Sequence, residues 1–160
     1  MSTHPDSFTY VTYITTTPEK LWEALTGGDF THQYWAGRRI ESEWKVGSRL
    51  RLVREDGRLD LEGEVLEVDY PTRLSYTFQP VPADNKRTLE GKLVDDSGEP
   101  PSRVTFVIEP FKGKVKLTLV HDQFPPGSKV LAGVSGGWPA ILSGLKSLLE
   151  SGEVMFPDWR

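Results

Sequence analysis

Apolar and polar positions alternate or recur at helical spacing along most of this chain, and they predict its first elements directly. Residues 8–15 (FTYVTYIT) are rich in β-branched and aromatic side chains, which favours a strand. Thr17 is the expected N-cap of a helix that has Pro18 at its first position and ends at the two glycines 27–28. A second short helix, capped by Asp29, is expected directly after it.

The clearest local prediction is a β-hairpin centred on Asp56-Gly57, between the alternating runs 49–55 and 58–65. Asp-Gly is favoured in two-residue hairpin turns because both of its residues tolerate positive φ. The turn sets four cross-strand pairs: Glu55 with Arg58, Leu52 with Leu61, Arg51 with Glu62, and Arg49 with Glu64. Three pairs join opposite charges and one is apolar, so turn, register and charge agree. The same register directs an apolar set inward: Leu50, Leu52, Leu61 and Val65, with Gly63 among them.

Further strands and one long helix complete the pattern. Alternation predicts three strands, at residues 74–78, 103–109 and 114–122. The segment 80–101 holds four prolines and few aromatic residues, so we expect a long loop there. Apolar residues between positions 134 and 149 recur at the spacing of an amphipathic helix, which Gly152 ends. Pro139 is expected to kink this helix or to mark where its regular part begins.

The element order is a strand, one or two helices, about six antiparallel strands and a long helix. An antiparallel sheet that faces a single long helix is an α+β fold. A length of 160 residues fits one domain, and neither an internal repeat nor a linker indicates a second. We expect a flexible N-terminus at 1–7, a domain at 8–151 that contains the loop 80–101, and a C-terminal tail at 152–160.

Composition and charge exclude several classes of function. Lys and Arg number 19 against 23 Asp and Glu, and the net charge of -4 has the wrong sign for a nucleic-acid footprint. The absence of cysteine removes disulfides, thiolate chemistry and Cys-based zinc sites. No apolar run approaches the ~18 residues of a membrane span, and the N-terminus lacks a signal-peptide pattern. We therefore expect a cytoplasmic, bacterial-type protein without a metal or cofactor.

Two motifs raise catalytic hypotheses. The segment 133–137 (GVSGG) matches the G-x-S-x-G elbow of α/β-hydrolases, but every histidine precedes Ser135 and the chain lacks βαβ alternation. Flexible glycines at the start of a helix are the better interpretation. His121 and Asp122 could supply a base and its carboxylate, yet neighbours in a strand point to opposite faces, which favours a structural role. The three histidines are too widely spaced to form a metal motif.

Several segments resemble, in the right order, the SRPBCC or START-like superfamily. Residues 10–26 are similar to its opening strand and helix. Further motifs resemble one branch of the superfamily, the bacterial family similar to the C-terminal domain of the heat-shock protein 90 ATPase activator. These motifs are 44–48 (WKVGS), 63–71 (GEVLEVDYP), 73–76 (RLSY), 121–122 (HD) and 137–142 (GWPAIL). The resemblance covers about residues 8–151. It implies a helix-grip fold, in which an antiparallel sheet of about six or seven strands curls round the C-terminal helix and encloses an apolar cavity.

The resemblance also implies a position for a ligand site. Six residues are expected near the cavity: Trp35, Trp44, Tyr76, Phe78, Trp138 and Leu142. Aromatic side chains spread over the sheet and helices either fill the core or line a pocket, and the residues alone leave both interpretations open. The connection 80–101 is longer than is usual in the family, and we expect it to cover the cavity mouth or to contact a partner.

Three functions follow from these expectations. The first is a binding protein for a small hydrophobic ligand that is lipid-, polyketide- or flavonoid-like. The second is a partner protein of a chaperone, which would stimulate the ATPase of heat-shock protein 90 in a stress response. The third is an enzyme of the cyclase or dehydratase type with His121 as its base. The family has no fixed catalytic set to transfer, so a role without catalysis is expected.

Overall fold

Seven antiparallel strands form one curved sheet, and a long C-terminal helix packs against it. The computed structural model describes residues 6–81 and 99–159. Its elements are β1 (Phe8–Ile14), α1 (Pro18–Thr26), α2 (Gly28–Tyr34), β2 (Arg39–Ser42), β3 (Arg49–Val53), β4 (Leu59–Asp69), β5 (Arg73–Pro80), β6 (Ser102–Phe111), β7 (Lys114–Asp122) and α3 (Lys129–Ser151). The strands lie in the order β1-β7-β6-β5-β4-β3-β2. The α+β helix-grip prediction is therefore confirmed.

The core lies between the sheet and α3. Leu74, Tyr76, Phe106 and Leu119 reach it from the sheet, and each is at most 2% exposed. From α3, the core receives four large side chains: Trp138, Ile141, Leu142 and Leu145. The resulting apolar contact area is the main source of stability for this arrangement, since burial contributes about 25 cal/mol per Å² of apolar surface.

Both ends of α3 are capped. The Ser128 hydroxyl accepts a hydrogen bond from the Leu131 amide at 2.9 Å. The carboxylate of Glu99 accepts from the Lys129 amide at 2.7 Å, which places a negative charge at the positive end of the helix dipole. At the other end Gly152 adopts φ 77°, as predicted from its position after the apolar repeat. The helix continues through Pro139 instead of beginning there.

The predicted hairpin register is confirmed along β3 and β4, while the turn differs. Arg49 lies opposite Glu64 and Leu52 opposite Leu61, as expected. The loop, however, has three residues, because the Arg54 amide donates to the Arg58 carbonyl and Gly57 adopts φ 86°. This longer loop shifts the pairing by one residue. A bulge between Leu59 and Leu61 shifts it back, so the predicted register holds beyond it.

The arginines of β3 do not form ion pairs with the glutamates directly opposite them on β4. The guanidinium of Arg49 binds the Glu62 carboxylate at 2.9 Å, on the diagonal. Arg51 binds Glu41, the residue directly opposite it on β2, at 3.3 Å instead of Glu62, the residue opposite it on β4. Long side chains can contact diagonal positions, so register alone does not determine which charges pair.

The helices near the N-terminus agree with the sequence except at one cap. Thr17 caps α1 through its hydroxyl, which accepts from the Lys20 amide at 3.2 Å. The N-cap of α2 is Gly27, and Asp29 lies inside the helix. The Asp29 carboxylate instead binds the guanidinium of Arg39, so the prediction that Asp29 is the cap was wrong.

Two expectations fall wholly or partly outside the described residues. The predicted flexible terminus 1–7 is described only from residue 6, and most of the predicted loop, 82–98, lies outside the described ranges. The strand β2 had no separate prediction, because its four residues are too few to show a period.

We predict that Gly63→Ala strongly destabilises the fold. A Cβ at this position would lie 2.0 Å from the Thr77 carbonyl oxygen, a backbone atom of β5 that cannot move without breaking the sheet. The free energy of unfolding, measured in urea, should fall by about 3 kcal/mol or more.

Gly136→Ala is the matched control. It lies on the exposed side of α3, where no atom of the described chain approaches within 4 Å of the added Cβ. This variant should gain about 0.5–1 kcal/mol, because alanine favours helices more than glycine does. Equal stabilities for the two variants would contradict the close approach of β4 and β5.

Candidate functional site

An apolar cleft of about 130 Å³ opens to solvent between the first half of α3, the end of α2 and β5. Its lining residues are Trp35, Phe78, Gly133, Val134, Gly137, Trp138 and Ile141. Among the described residues, no charged or polar side chain lines the cleft. A surface of this kind can gain free energy by excluding water from an apolar group.

A tight turn directs Trp35 into the cleft. Trp35 ends α2, and the next two residues, Ala36 and Gly37, adopt φ values of 47° and 75°. The side chain of Arg38 braces this turn: its Nη1 donates to the Ala36 carbonyl at 2.7 Å, and its Nε donates to the Asp60 carboxylate at 2.9 Å. The Arg38–Asp60 pair thus joins the turn that holds Trp35 to the bulge in β4.

Trp138 contacts both of the other aromatic rings of the cleft. The ring centres of Trp35 and Trp138 lie 5.1 Å apart, with an angle of 58° between the ring planes. The ring centre of Phe78 lies 6.3 Å from that of Trp138. These tilted arrangements are typical of aromatic pairs, and they make one wall of the cleft a rigid aromatic surface.

A chain of buried polar groups fixes this wall from behind. The Trp138 indole N–H donates to Nδ1 of His121 at 3.0 Å. Because Nδ1 accepts, the neutral imidazole carries its proton on Nε2, which donates to the Ser102 hydroxyl at 2.7 Å. That hydroxyl in turn donates to the Phe78 carbonyl at 3.3 Å. Two cleft residues, Phe78 and Trp138, are therefore connected through one network.

His121 is fully buried between aromatic rings. Its ring centre lies 4.7 Å from that of Phe78 and 4.5 Å from that of Phe124. Burial lowers the pKa of His121 to about 3, although the nearby Asp122 carboxylate opposes the shift. Both ring nitrogens are engaged, and the imidazole is not part of the cleft lining. The geometry supports a role in holding Trp138 and gives no support to His121 as a base.

Asp122 points to the opposite face of the sheet from His121, as the strand alternation predicts. It forms a two-pronged pair with the Arg103 guanidinium, at 3.1 and 2.9 Å. The two neighbours therefore do not form a base and its carboxylate.

The structure brings together three of the six residues expected at the cavity. Trp35, Phe78 and Trp138 line the cleft. Tyr76 and Leu142 lie in the core and are at most 2% exposed, and burial raises the pKa of Tyr76. Trp44 contacts Tyr76 from the side, and its indole N–H donates to the Thr26 carbonyl at 3.1 Å.

Sequence reasoning missed the lining residues contributed by the helix: Gly133, Val134, Gly137 and Ile141. With Trp138 they follow one face of α3, so the helical period was the signal that could have found them. The sequence predicts flexible glycines at a helix start, whereas Gly133 and Gly137 lie inside α3.

The remaining motif of the sequence has a structural explanation. Ser135 of the G-x-S-x-G segment lies inside α3, and its hydroxyl donates to the Leu131 carbonyl at 2.7 Å. Across residues 6–81 and 99–159, no group of histidine and acidic side chains could hold a metal ion. In the same ranges, no helix has the length and apolar character needed to cross a bilayer.

Residues 15–150 match the model of a family described as Activator of Hsp90 ATPase homolog 1-like protein. A comparison with curated proteins finds no significant match.

Solved structures share the fold. A protein from Mesorhizobium loti is 26% identical, with a TM-score of 0.70 over 90% of this chain and 96% of its own. The Aha1 dimer from Colwellia psychrerythraea is 19% identical, with a TM-score of 0.70 over 92% and 98%. An HSP90 activator from Plasmodium falciparum is 22% identical, with a TM-score of 0.68 over 89% and 95%.

We predict that the buried His121 makes the fold sensitive to mild acid. Its pKa is about 3 when folded and ~6.5 when unfolded, so the unfolded chain takes up the proton first. Stability is fully present above pH ~6.5 and falls as the pH decreases toward 3, by at most about 1.4 kcal/mol per pH unit. Urea unfolding at pH values from 7 to 5 measures this slope.

His121→Gln should be less stable at pH 7 but should show a shallower slope, because it removes the titrating group. An unchanged slope in His121→Gln would contradict the assignment.

Proposed function

Because the chain belongs to the family of Activator of Hsp90 ATPase homolog 1-like proteins, we propose that it is a binding protein that takes a small hydrophobic ligand into the cleft between its sheet and α3. The observation that carries the proposal is the cleft itself. Its described lining is wholly apolar, three aromatic rings form one wall, and it is open to solvent. An apolar concavity of this kind is the usual form of a small-ligand site.

The volume limits what can enter. About 130 Å³ is close to the ~150 Å³ of an engineered protein cavity that binds benzene, and below the ~300–1,000 Å³ of typical drug-sized sites. The cleft therefore fits a single ring or a short branched chain. A polyketide- or flavonoid-like molecule would place one ring inside and leave the rest at the surface.

Burial of the ligand against Trp35 and Trp138 would supply the free energy of binding. An apolar contact contributes roughly 25 cal/mol per Å² before the cost of immobilising the ligand. Since the described lining has no charged, hydroxyl or amide side chain, affinity for the inserted group should be modest. Polar parts of a larger ligand would have to bind outside the cleft.

A chaperone partner is the second candidate, and the family match favours it. The structural relative from Plasmodium falciparum is described as an HSP90 activator, although at 22% identity the likeness shows the fold alone. An apolar cleft could also accept a side chain of a partner protein. Measurement of heat-shock protein 90 ATPase turnover with and without this protein tests the candidate directly, and unchanged turnover contradicts it.

Catalysis of the cyclase or dehydratase type has less support than binding. General acid–base chemistry needs a titratable group within hydrogen-bond distance of the substrate. The described lining contains none, and His121 lies behind Trp138 with both nitrogens engaged.

We predict that Val134→Phe blocks the cleft without unfolding the protein. Val134 is half-buried on the cleft side of α3, so the larger ring would occupy the space proposed for the ligand. The test is a titration of the protein with a panel of single-ring and fused-ring compounds, in which tryptophan fluorescence reports binding. Affinity for the compounds that bind the natural protein should fall at least tenfold, which is about 1.4 kcal/mol.

Ser135→Phe is the matched control, since it adds the same ring one residue along, on the exposed side of the helix and outside the cleft. Its affinity should remain unchanged. Failure of every compound to bind the natural protein, or unchanged affinity in Val134→Phe, would overturn the proposed site.

A further inference from the structure

An exposed apolar patch lies beside the end of the β6–β7 hairpin, on the face of the sheet that points away from α3. It consists of Val11 and Tyr13 on β1 and Phe111 at the end of β6, and each is between 42% and 45% exposed. The ring centres of Tyr13 and Phe111 lie 5.1 Å apart, so the two rings form one surface. Exposed apolar side chains that are grouped in this way indicate a binding surface, whereas single ones do not.

The strand register places lysines around this patch. Lys116 lies directly opposite Tyr13, and Lys114 lies directly opposite Phe111. The third lysine, Lys112, lies in the turn, with its ammonium 5.3 Å from the centre of the Phe111 ring. None of the three forms an ion pair with a residue that the structure describes. Their charges are therefore available to an occupant of the patch.

The local charge of the patch is opposite in sign to the net charge of the chain, which is -4. The three lysines outnumber Glu109, which lies opposite Lys116 on the same face. Beside Tyr13, Lys146 and Glu150 of α3 bind each other at 2.8 Å, so their charges cancel. Charge complementarity thus favours an anionic occupant. A second copy that used the same patch would bring lysine against lysine, which disfavours a symmetric dimer there.

The turn of the hairpin holds a lysine at its tip. Lys112 and Gly113 adopt φ values of 49° and 79°, which make a two-residue turn with both central residues left-handed. Asn or Asp is the usual residue before glycine in such a turn, and lysine adopts this conformation at an energetic cost. Residues 111–114 are all exposed, so the tip projects from the domain. The loop of the β3–β4 hairpin, 54–58, carries charged residues and glycine but no apolar side chain.

We propose that the β6–β7 hairpin docks this protein on an anionic membrane surface, with Tyr13 and Phe111 at the interface and the three lysines against lipid headgroups. Aromatic rings favour the boundary between headgroups and acyl chains, and lysines near an anionic surface add electrostatic attraction. A projecting tip suits a surface that deforms around it better than it suits the rigid surface of a folded partner. Docking of this kind places the protein on the membrane without an element that spans it.

The patch is separate from the cleft, so this inference goes beyond the proposed function. Lys114 and His121 are seven residues apart on β7, which corresponds to about 23 Å in an extended strand. His121 holds Trp138 at the cleft. Loss of docking should therefore leave ligand binding in the cleft unchanged.

Cosedimentation with lipid vesicles tests the proposal. The natural protein at low ionic strength should bind vesicles of phosphatidylcholine and phosphatidylglycerol in equal parts about tenfold more tightly, or more, than vesicles of phosphatidylcholine alone. The affinity should fall as salt is added, because ions screen exposed charges. Lys114→Gln should weaken binding about fivefold, which is the ~1 kcal/mol that one lysine contributes near an anionic surface. Phe111→Ser should weaken binding by about fivefold or more, because it removes the apolar contact.

Lys129→Gln is the matched control. It removes the same charge from an exposed lysine at the start of α3, beyond the opposite end of β7 from the hairpin. Its affinity for the anionic vesicles should remain unchanged. The melting temperatures of all three variants should stay close to that of the natural protein, because each changed side chain is exposed.

Absence of binding to the anionic vesicles at low salt, or full affinity in both hairpin variants, would overturn the proposal. Binding of polyglutamate without binding of vesicles would assign the patch to an acidic protein instead of a membrane. A dimer in sedimentation velocity that Phe111→Ser dissociates would assign it to a second copy, and would equally overturn membrane docking. None of these results bears on the cleft, which the compound panel and Val134→Phe test separately.

Discussion

The packing of Trp138 against the sheet is the contact on which the rest of the structure depends. Its ring meets Phe106 edge to face at 6.0 Å, and the side chain is 2% exposed. Its one polar atom is satisfied by His121, so the large apolar surface is buried without leaving a donor unpaired. The buried imidazole is in turn satisfied by Ser102, and the whole network stays uncharged at neutral pH because burial keeps the pKa of His121 low.

Trp138 also divides α3 into two parts with different roles. After it, Ile141, Leu142 and Leu145 fill the core under the sheet. Before it, the helix carries Gly133 and Gly137, stays largely exposed and leaves the cleft open. The same indole thus closes the core on one side and forms a wall of the candidate site on the other. A substitution of Trp138 would therefore change both the stability of the fold and the candidate site. Substitutions on the first half of the helix change the site with less effect on stability.

Membership of the family and the shared fold do not by themselves determine a ligand. Relatives below 25% identity show only that the sheet and helix are arranged alike. The chemistry of binding depends on the few side chains that face the cleft, and such side chains change more readily than the fold does. In this chain the cleft is small and apolar, which favours a single inserted ring or side chain over an enclosed lipid.

Local interactions were sufficient for much of the fold. The Thr17 cap, Gly152 and the register of β3 with β4 depend on residues close in the chain, and the sequence predicted each of them. The wrong N-cap at Asp29 and the diagonal pairing of Arg49 show the limit of this reasoning, because both depend on which long side chain reaches which partner across neighbouring elements.

The sequence by itself determined the helices and every strand except β2, since their period and spacing are local properties. Only the tertiary structure decided which residues form the site. It buried Tyr76 and Leu142, placed His121 behind Trp138 and gave the glycines of α3 an open face. The physical reason is that a cleft is space left between elements distant in the chain, and no pattern along one element specifies what its neighbour leaves empty.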